Sequence, residues 1–249
     1  AQKLYEGGYI TYMRTDSTNL SQDVLNQCNI YICKKYGDNY YNLKTYKKKI
    51  KGGQEAHEAI RPTNINVISD NISLGVEFKK LYNLIWKRTV ASQMAYAKIN
   101  IQTIYIDILK NNISVLPDKT NFVSIFEKIL FDGFLVLYNN HESDNKKGEV
   151  DIKKEVDVEF KNMIISEEYT KPPLRFNEAG LTGHLENNGI GRPSTYASII
   201  TKIVEKKYVT IENIEGVKKV SNIININKSY EISTKSKDIS IGNETKKLC

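Results

Sequence analysis

The sequence predicts an α+β, multidomain chain, and three observations carry that prediction. Apolar residues recur at helical spacing between residues 20 and 36 and again between 76 and 94, they alternate at period two through much of 98–168, and the helical period returns beyond Pro172-Pro173. The expected domains are accordingly 1–97, mainly helical, 98–168, rich in β-structure, and 169–249, which begins helical and ends in an Asn-, Lys- and Ile-rich tail.

Residues 9 to 14 are β-branched or aromatic at nearly every position, which predicts a strand. A helix follows, with Ser21 as N-cap, Val24, Cys28 and Ile32 on one face and Gly37 as its stop. Asp38 to Gly53 has no period, carries Lys47-Lys48-Lys49 and reads as a solvated loop. Glu55 to Arg61 is expected to make two helical turns ended by Pro62. A long helix over about Val76 to Met94 presents Phe78, Leu81, Tyr82, Ile85 and Thr89 on one side. Beyond it Ile99 and Ile101 alternate on one parity and Ile104, Ile106 and Ile108 on the other, which predicts a strand bent near Gln102. Phe122–Phe131, Phe134–Tyr138 and Val156–Ile165 also read as strands. Asn177 is a candidate helix cap, and Pro193 sits at an expected first helical position. Gly180 and Gly183 weaken the helix after Asn177 by about 1 kcal/mol each relative to Ala. From Ile211 onward, a β-ribbon around Val220–Asn227 and disorder are both open.

The 249 residues carry a formal charge of +7, a balance that suits a polyanionic partner without naming one. Cys28, Cys33 and Cys249 are odd in number and lack CxxC spacing, so neither a disulfide framework nor a zinc site is indicated, and they read as reduced thiols of an intracellular protein. No apolar run reaches the roughly 18 residues of a membrane span, and no signal peptide is visible. The chain lacks an initiating Met and opens inside an expected helix, which reads as a piece of something longer.

Chemistry concentrates in three places. On a strand, Tyr12 and Arg14 would share a face, setting a phenol beside a permanent cation that can hold a phosphodiester during attack; a strand-end Tyr with a surface Arg is the plain alternative. His57 and Arg61, four apart on a helix, could donate to one phosphate, or be a surface His and a helix-terminal Arg. Asp16 is either a turn residue or an acid turned toward His57 or Arg14; paired with His57 it would favour the imidazolium and strengthen its hold on phosphate, and on that ground it is counted with the DNA-binding candidates below. The third place is Gly191-Arg192-Pro193-Ser194-Thr195, where a helix N-terminus, hydroxyls and Arg192 outline an anion site or a simple helix start.

Three motif blocks and one helix between them resemble one family in its own order. Ala1–Asn26, AQKLYEGGYITYMRTDSTNLSQDVLN, is similar to the active-site segment of bacterial-type DNA topoisomerase I, the type IA family. Gln54–Thr63, QEAHEAIRPT, resembles its next block, Leu81–Ala97 the helix after that, and Gly189–Ile200, GIGRPSTYASII, a third block. The resemblance implies a part of a torus: a helical active-site tyrosine domain, a β-rich arch and part of the helical base domain. It implies that Tyr12 attacks DNA and is left on a 5′-phosphate, with His57 at the scissile phosphate; Arg14 joins them as a catalytic candidate on the strand reading above. Asp16, Arg61, Arg192, Ser194 and Thr195 would bind DNA. The partner would be DNA, single-stranded by preference, the protein a monomer, without ATP, and placed in a bacterial cytoplasm or an organelle of bacterial descent. The family's Mg²⁺ is held by a Toprim-type DxDxE unit, and no DxD occurs in this chain, so no metal ligand is expected here and the chain alone is expected not to relax DNA. The residues after Gly216 depart from the family, and no zinc-ribbon cysteines occur. The alternatives are a catalytically silent single-strand-binding remnant and a topoisomerase III or reverse gyrase.

Overall fold

The computed structural model describes residues 1–46, 57–110, 113–114, 116–117, 120–138 and 156–249. It mixes helix and sheet, as expected of an α+β chain, and divides into two compact units, Ala1–Ile152 and Lys153–Cys249.

The first unit is built on three helices, α1 (Gln2–Glu6), α2 (Gln22–Tyr36) and α3 (Val76–Ser92). Val24, Cys28 and Ile32 of α2 are fully buried against Tyr82, Trp86 and Val90 of α3, the i, i+4, i+8 spacing on both helices giving each one apolar stripe. Gly37 ends α2 as read, whereas Ser21 occupies the cap position without a side-chain cap hydrogen bond. Trp86, left off the expected face of α3, is central to it: its Nε1 donates to the Ile65 carbonyl at 2.8 Å, and the Tyr82 hydroxyl donates to Val67 O at 2.8 Å. These bonds let two large aromatics enter the core with their polar tips satisfied, and they fix residues 65–67 on the helix.

Several expectations change here. Residues 38–46 are a largely exposed loop, as expected, but an anchored one: Asp38–Tyr40 forms a 3₁₀ turn, Tyr40 Oη donates to Asp132 at 2.6 Å, and the fully buried Gln93 side chain both accepts from Lys44 N (3.1 Å) and donates to Lys44 O (3.0 Å). Periodicity fails there because the anchors are side chains reaching backbone, which leaves no repeating signal. The lysines 47–49 and residues 55 and 56 of the expected 55–61 helix lie outside the described residues; 57–61 are not helical.

The β-structure of this unit is a long antiparallel ribbon of β1 (Lys98–Ile106) and β4 (Phe122–Phe131), with the two-residue strands β2 (Leu109–Lys110) and β3 (Ile113–Ser114) beyond it. The one register shift lies between Lys98 and Ile99, not near Gln102: Ile104 and Ile106 keep the regular alternation and simply face the other side from Ile99 and Ile101. Phe134–Tyr138, expected as a strand, belongs to a 3₁₀ helix, Gly133–Tyr138, packed with Leu137 in the core. Its apolar run marks burial and not strand, an ambiguity inherent in short apolar runs.

The second unit holds β5 (Met163–Ser166), α4 (Glu178–Asn187), α5 (Tyr196–Glu205), β6 (Ile211–Ile214), β7 (Val217–Ile226), β8 (Ile232–Ile241) and β9 (Glu244–Leu248). The expected strand at 156–165 is thus only its final part. β5, β7 and β8 form an antiparallel sheet in that order, so the stretch left open between ribbon and disorder is a ribbon. β6 pairs with β9. Asn177 caps α4, its Oδ1 accepting from Gly180 N at 2.7 Å, and α4 runs ten residues despite its glycines. β9 links the two helices: Leu248 N donates to Phe176 O beside the start of α4, and Thr210 and Cys249 exchange backbone bonds just after α5. Glu244, nearly buried, pairs with Arg175 (3.6 Å) and Lys247 (3.5 Å), and accepts from Arg175 N. Among the described residues no helix is long and apolar enough to cross a membrane.

Candidate active site and nucleic-acid interface

Tyr12 does not lie on a strand. The segment carries a single antiparallel bridge, Ile10 with Pro62, and continues as irregular chain bent at Thr11, Met13 and Arg14. What the β-branched run provides is a crossing. Thr11 N donates to Arg61 O (2.9 Å), Thr11 Oγ1 donates to Ala59 O (2.7 Å) and accepts from Arg61 N (2.9 Å), and Thr63 N donates to Tyr9 O (3.0 Å). Proline has no N–H for a longer ladder, so at Pro62 the pairing is continued by the Thr11 hydroxyl. Ala59 N donates to Asn19 O (2.8 Å), which closes the loop between the two segments.

This crossing brings Tyr12 and His57 together. Their ring centroids are 5.2 Å apart at an interplanar angle of 38°, both residues are half-buried, and Tyr5 meets Tyr12 edge-on at 5.5 Å. The phenol is thereby held between an aromatic edge and an imidazole that can donate or accept a hydrogen bond. Arg14 is exposed two residues on, and its placement on the face of Tyr12 by strand alternation does not hold. Asp16 lies in the turn, where Ser17 N donates to Thr15 Oγ1 and Asn19 N to Ser17 Oγ; among the described residues it makes no ion pair with Arg14 or His57.

Arg61 is placed differently from the helical reading. Its side chain is only 14% exposed, its Nη2 lies 2.6 Å from Glu58 Oε2, and its Nη1 donates to Pro62 O at 3.0 Å. Much of its donor capacity therefore serves the 58–62 turn. Its charge also reaches Cys28, where burial pushes the thiol up to about 12 and the Arg61 cation opposes that rise. Glu58, Thr11 and Tyr5 are the residues that sequence reasoning passed over. Only Glu58 had a local signal, its i, i+3 spacing from Arg61.

In the second unit the GRPST loop joins α4 to α5. Ile190 N donates to Leu185 O and Gly189 N to Glu186 O, a Schellman-type end to α4 with Gly189 at φ +69°. Pro193 is not the first helical residue. α5 starts at Tyr196 after a tight turn in which Arg192 N donates to Thr195 Oγ1 (2.8 Å) and Thr195 N to Arg192 O (2.8 Å). The Arg192 amide and the Thr195 hydroxyl are thus used to shape the loop. Arg192 and Ser194 are exposed, and Arg192 Nη1 donates to the Gly191 carbonyl at 2.7 Å. Gly191 sits at φ +77°, where a side chain is strained by the backbone itself, and a Cβ there would also come within 2.9 Å of Ile199 Cδ1 and displace it.

Among the described residues no group of three or more His, Cys, Asp or Glu could hold a metal ion.

With the geometry in view, the chain can be set beside known proteins. A family model described as DNA topoisomerase matches residues 1–239. The chain is 40% identical, over its whole length, to "DNA topoisomerase 1 type prokaryotic" of Acanthamoeba polyphaga mimivirus, and 40% identical over 85% of its length to DNA topoisomerase 1 of Rickettsia bellii. It spans 31% and 28% of those proteins. Among solved structures, full-length topoisomerase I of Thermotoga maritima matches with a TM-score of 0.60 and 29% identity over 82% of this chain and 32% of that one.

Proposed function

From the premise that the chain belongs to the bacterial-type, type IA DNA topoisomerase family, we infer that it carries the strand-cleaving tyrosine and part of the single-strand DNA groove of an ATP-independent topoisomerase. The observation that carries the reading is the Tyr12–His57 contact, made by two segments 45 residues apart that the 10/62 crossing locks together. In the proposed reaction the Tyr12 hydroxyl gives up its proton to solvent as its oxygen attacks a backbone phosphorus, forming the O–P bond to a 5′-phosphate, while the bond to the 3′-oxygen breaks and that oxygen takes up a proton from solvent, so that protons balance. His57 and Arg14 donate to the non-bridging oxygens, where charge accumulates. The other strand passes, and the 3′-hydroxyl reverses the attack. The phosphotyrosine link conserves the energy of the broken bond, so no nucleotide is consumed, and relaxation of negative supercoils is the net result.

Thr11 and the Glu58–Arg61 pair hold the frame rather than the phosphate. Arg192, with Ser194 and the shaped loop at Thr195, offers a positive contact to the single strand before or after the break. Mg²⁺ dependence, which the resemblance implies, would rest on ligands beyond the described residues, and no step above is routed through it.

The test is cleavage by the full-length protein on an end-labelled single-stranded oligonucleotide, read on a denaturing gel. The 5′-phosphate side should stay attached to protein, and Tyr12→Phe should abolish the adduct while single-strand affinity stays within a few-fold. An adduct formed by the Tyr12→Phe protein would sink the assignment. An unaltered protein that binds but never forms one would leave a binding module.

A further inference from the structure

The sheet of the second unit separates its charge by face. Paired residues across an antiparallel ladder lie on the same side, so the register of β7 with β8 puts Lys219 (opposite Ile239), Lys237 (opposite Ser221) and Lys235 (opposite Ile223) on one face. The remaining β7 and β8 residues of that face are Val217, Asn225, Ser233 and Ile241, and none is acidic. The opposite face carries Lys218 (opposite Ser240) with Asp238 (opposite Val220) as its diagonal neighbour, together with Ile224, Ile226 and Ile232. All three lysines of the first face are exposed, and among the described residues none is paired with a carboxylate. Lys219 lies over the ring of Tyr169 at 6.0 Å, and Tyr169 is itself held by its hydroxyl to Val220 O at 2.9 Å, which gives that ammonium a fixed support.

We propose that this lysine face of β7–β8 is a second DNA-contact surface, distinct from the Tyr12 and GRPST regions, and that it takes the sugar-phosphate backbone of duplex DNA. Lys235 and Lys237 are two residues apart on one strand, roughly 7 Å at the strand rise, and Lys219 is the diagonal neighbour of Lys237 across the ladder. Three point charges spaced this way on a twisted ribbon suit successive phosphates, with the Ser233 hydroxyl and Asn225 amide as further donors. Duplex is favoured over single strand by what the face lacks. Single-strand surfaces stack bases on free aromatic rings, and Tyr169, the aromatic beside these lysines, is engaged by Lys219 and Val220. A two-stranded ribbon also fits the width of the major groove, and among the described residues 217–219 of β7 bond to β8 alone, whereas 220–222 also bond to Glu167 and Tyr169. The inference rests on DNA being the partner, which family membership supports, and on charge complementarity.

The experiment compares the 249-residue chain with Lys219→Gln/Lys235→Gln/Lys237→Gln, with the same three positions changed to Arg, and with Lys218→Gln from the opposite face. Probes are a 20-base-pair duplex and a single strand of the same sequence, from about 50 to 200 mM salt, with circular dichroism to verify the fold. The triple Gln variant should lose at least about fivefold in duplex affinity at low salt. Its slope of log K against log salt should shrink by about two to three, since each phosphate contributes about 0.9. The triple Arg and Lys218→Gln variants should match the unaltered chain on duplex. Single-strand affinity should change less than twofold in the triple Gln variant and fall with Arg192→Ala instead. Should the triple Gln variant fold poorly, Lys237→Gln alone should lower the slope by about one. Absence of duplex binding by the unaltered chain, an unchanged slope, or an equal loss in Lys218→Gln would overturn the proposal. A flat response of single-strand affinity to Arg192→Ala would instead count against the groove reading alone.

Discussion

Tyr12 shows how a residue can be found for one reason and held for another. Alternation on a strand would have set Arg14 beside it, but the chain turns irregular after Ile10, and the neighbours supplied by the fold are His57 and Tyr5. His57→Ala should therefore slow formation of the covalent adduct in the full-length protein more than Arg14→Ala does, because the exposed Arg14 loses less by competing with water. Each should leave some adduct on a denaturing gel, since the nucleophile remains. Glu58 is a different kind of residue. Replacing it with Gln strips the largely buried Arg61 of its counter-charge, which should cost about 1–2 kcal/mol, the low end for a pair whose carboxylate is partly exposed. A lowered urea midpoint checks this, with cleavage reduced in step as the 58–62 turn loosens.

At the scale of elements, helices α2 and α3 were legible because their stripes repeat, and the connections were not because each is fixed by one long-range bond. Gln93 is the clearest case. Its amide completes hydrogen bonds of both Lys44 backbone groups from within the core, a role no local pattern announces. Gln93→Ala should leave those groups unpaired and destabilise the first unit by about 2–3 kcal/mol, measured by urea unfolding followed through the fluorescence of Trp86. In the second unit, Gly191→Ala forces a side chain onto a φ of +77° and against Ile199. The GRPST loop should shift and single-strand affinity fall several-fold while the helical circular dichroism is kept, a result that separates loop shape from the charge of Arg192.

Across the whole molecule, the buried thiol of Cys28 and the buried phenol of Tyr82 are both pushed up to about 12. Unfolding returns them to about 9 and 10, so the unfolded chain sheds these protons first as pH rises. Their contribution to stability is intact below pH 9 and is lost progressively between about 9 and 12. Thermal melts should show that alkaline decline, and Cys28→Ala, though less stable overall, should show a shallower one. A second expectation follows from the resemblance, whose Mg²⁺-holding DxDxE pattern does not occur in this sequence: the purified 249-residue chain should not relax supercoiled DNA on an agarose gel. Efficient relaxation would mean that carboxylates of this chain assemble a metal site after all.

The sequence by itself determined the α+β class, both long helices, the cap at Asn177 and the family, because helical period, side-chain capping and contiguous motifs are local properties that survive without a partner segment. The tertiary structure decided what stands next to Tyr12, that Arg61 is turned into its own loop, that 134–138 is a 3₁₀ turn and that the polar tail closes into a sheet with β5. Each of these depends on hydrogen bonds or packing between residues tens of positions apart. Such bonds are chosen by whichever buried polar group is left without water, and that choice exists only once the chain has folded.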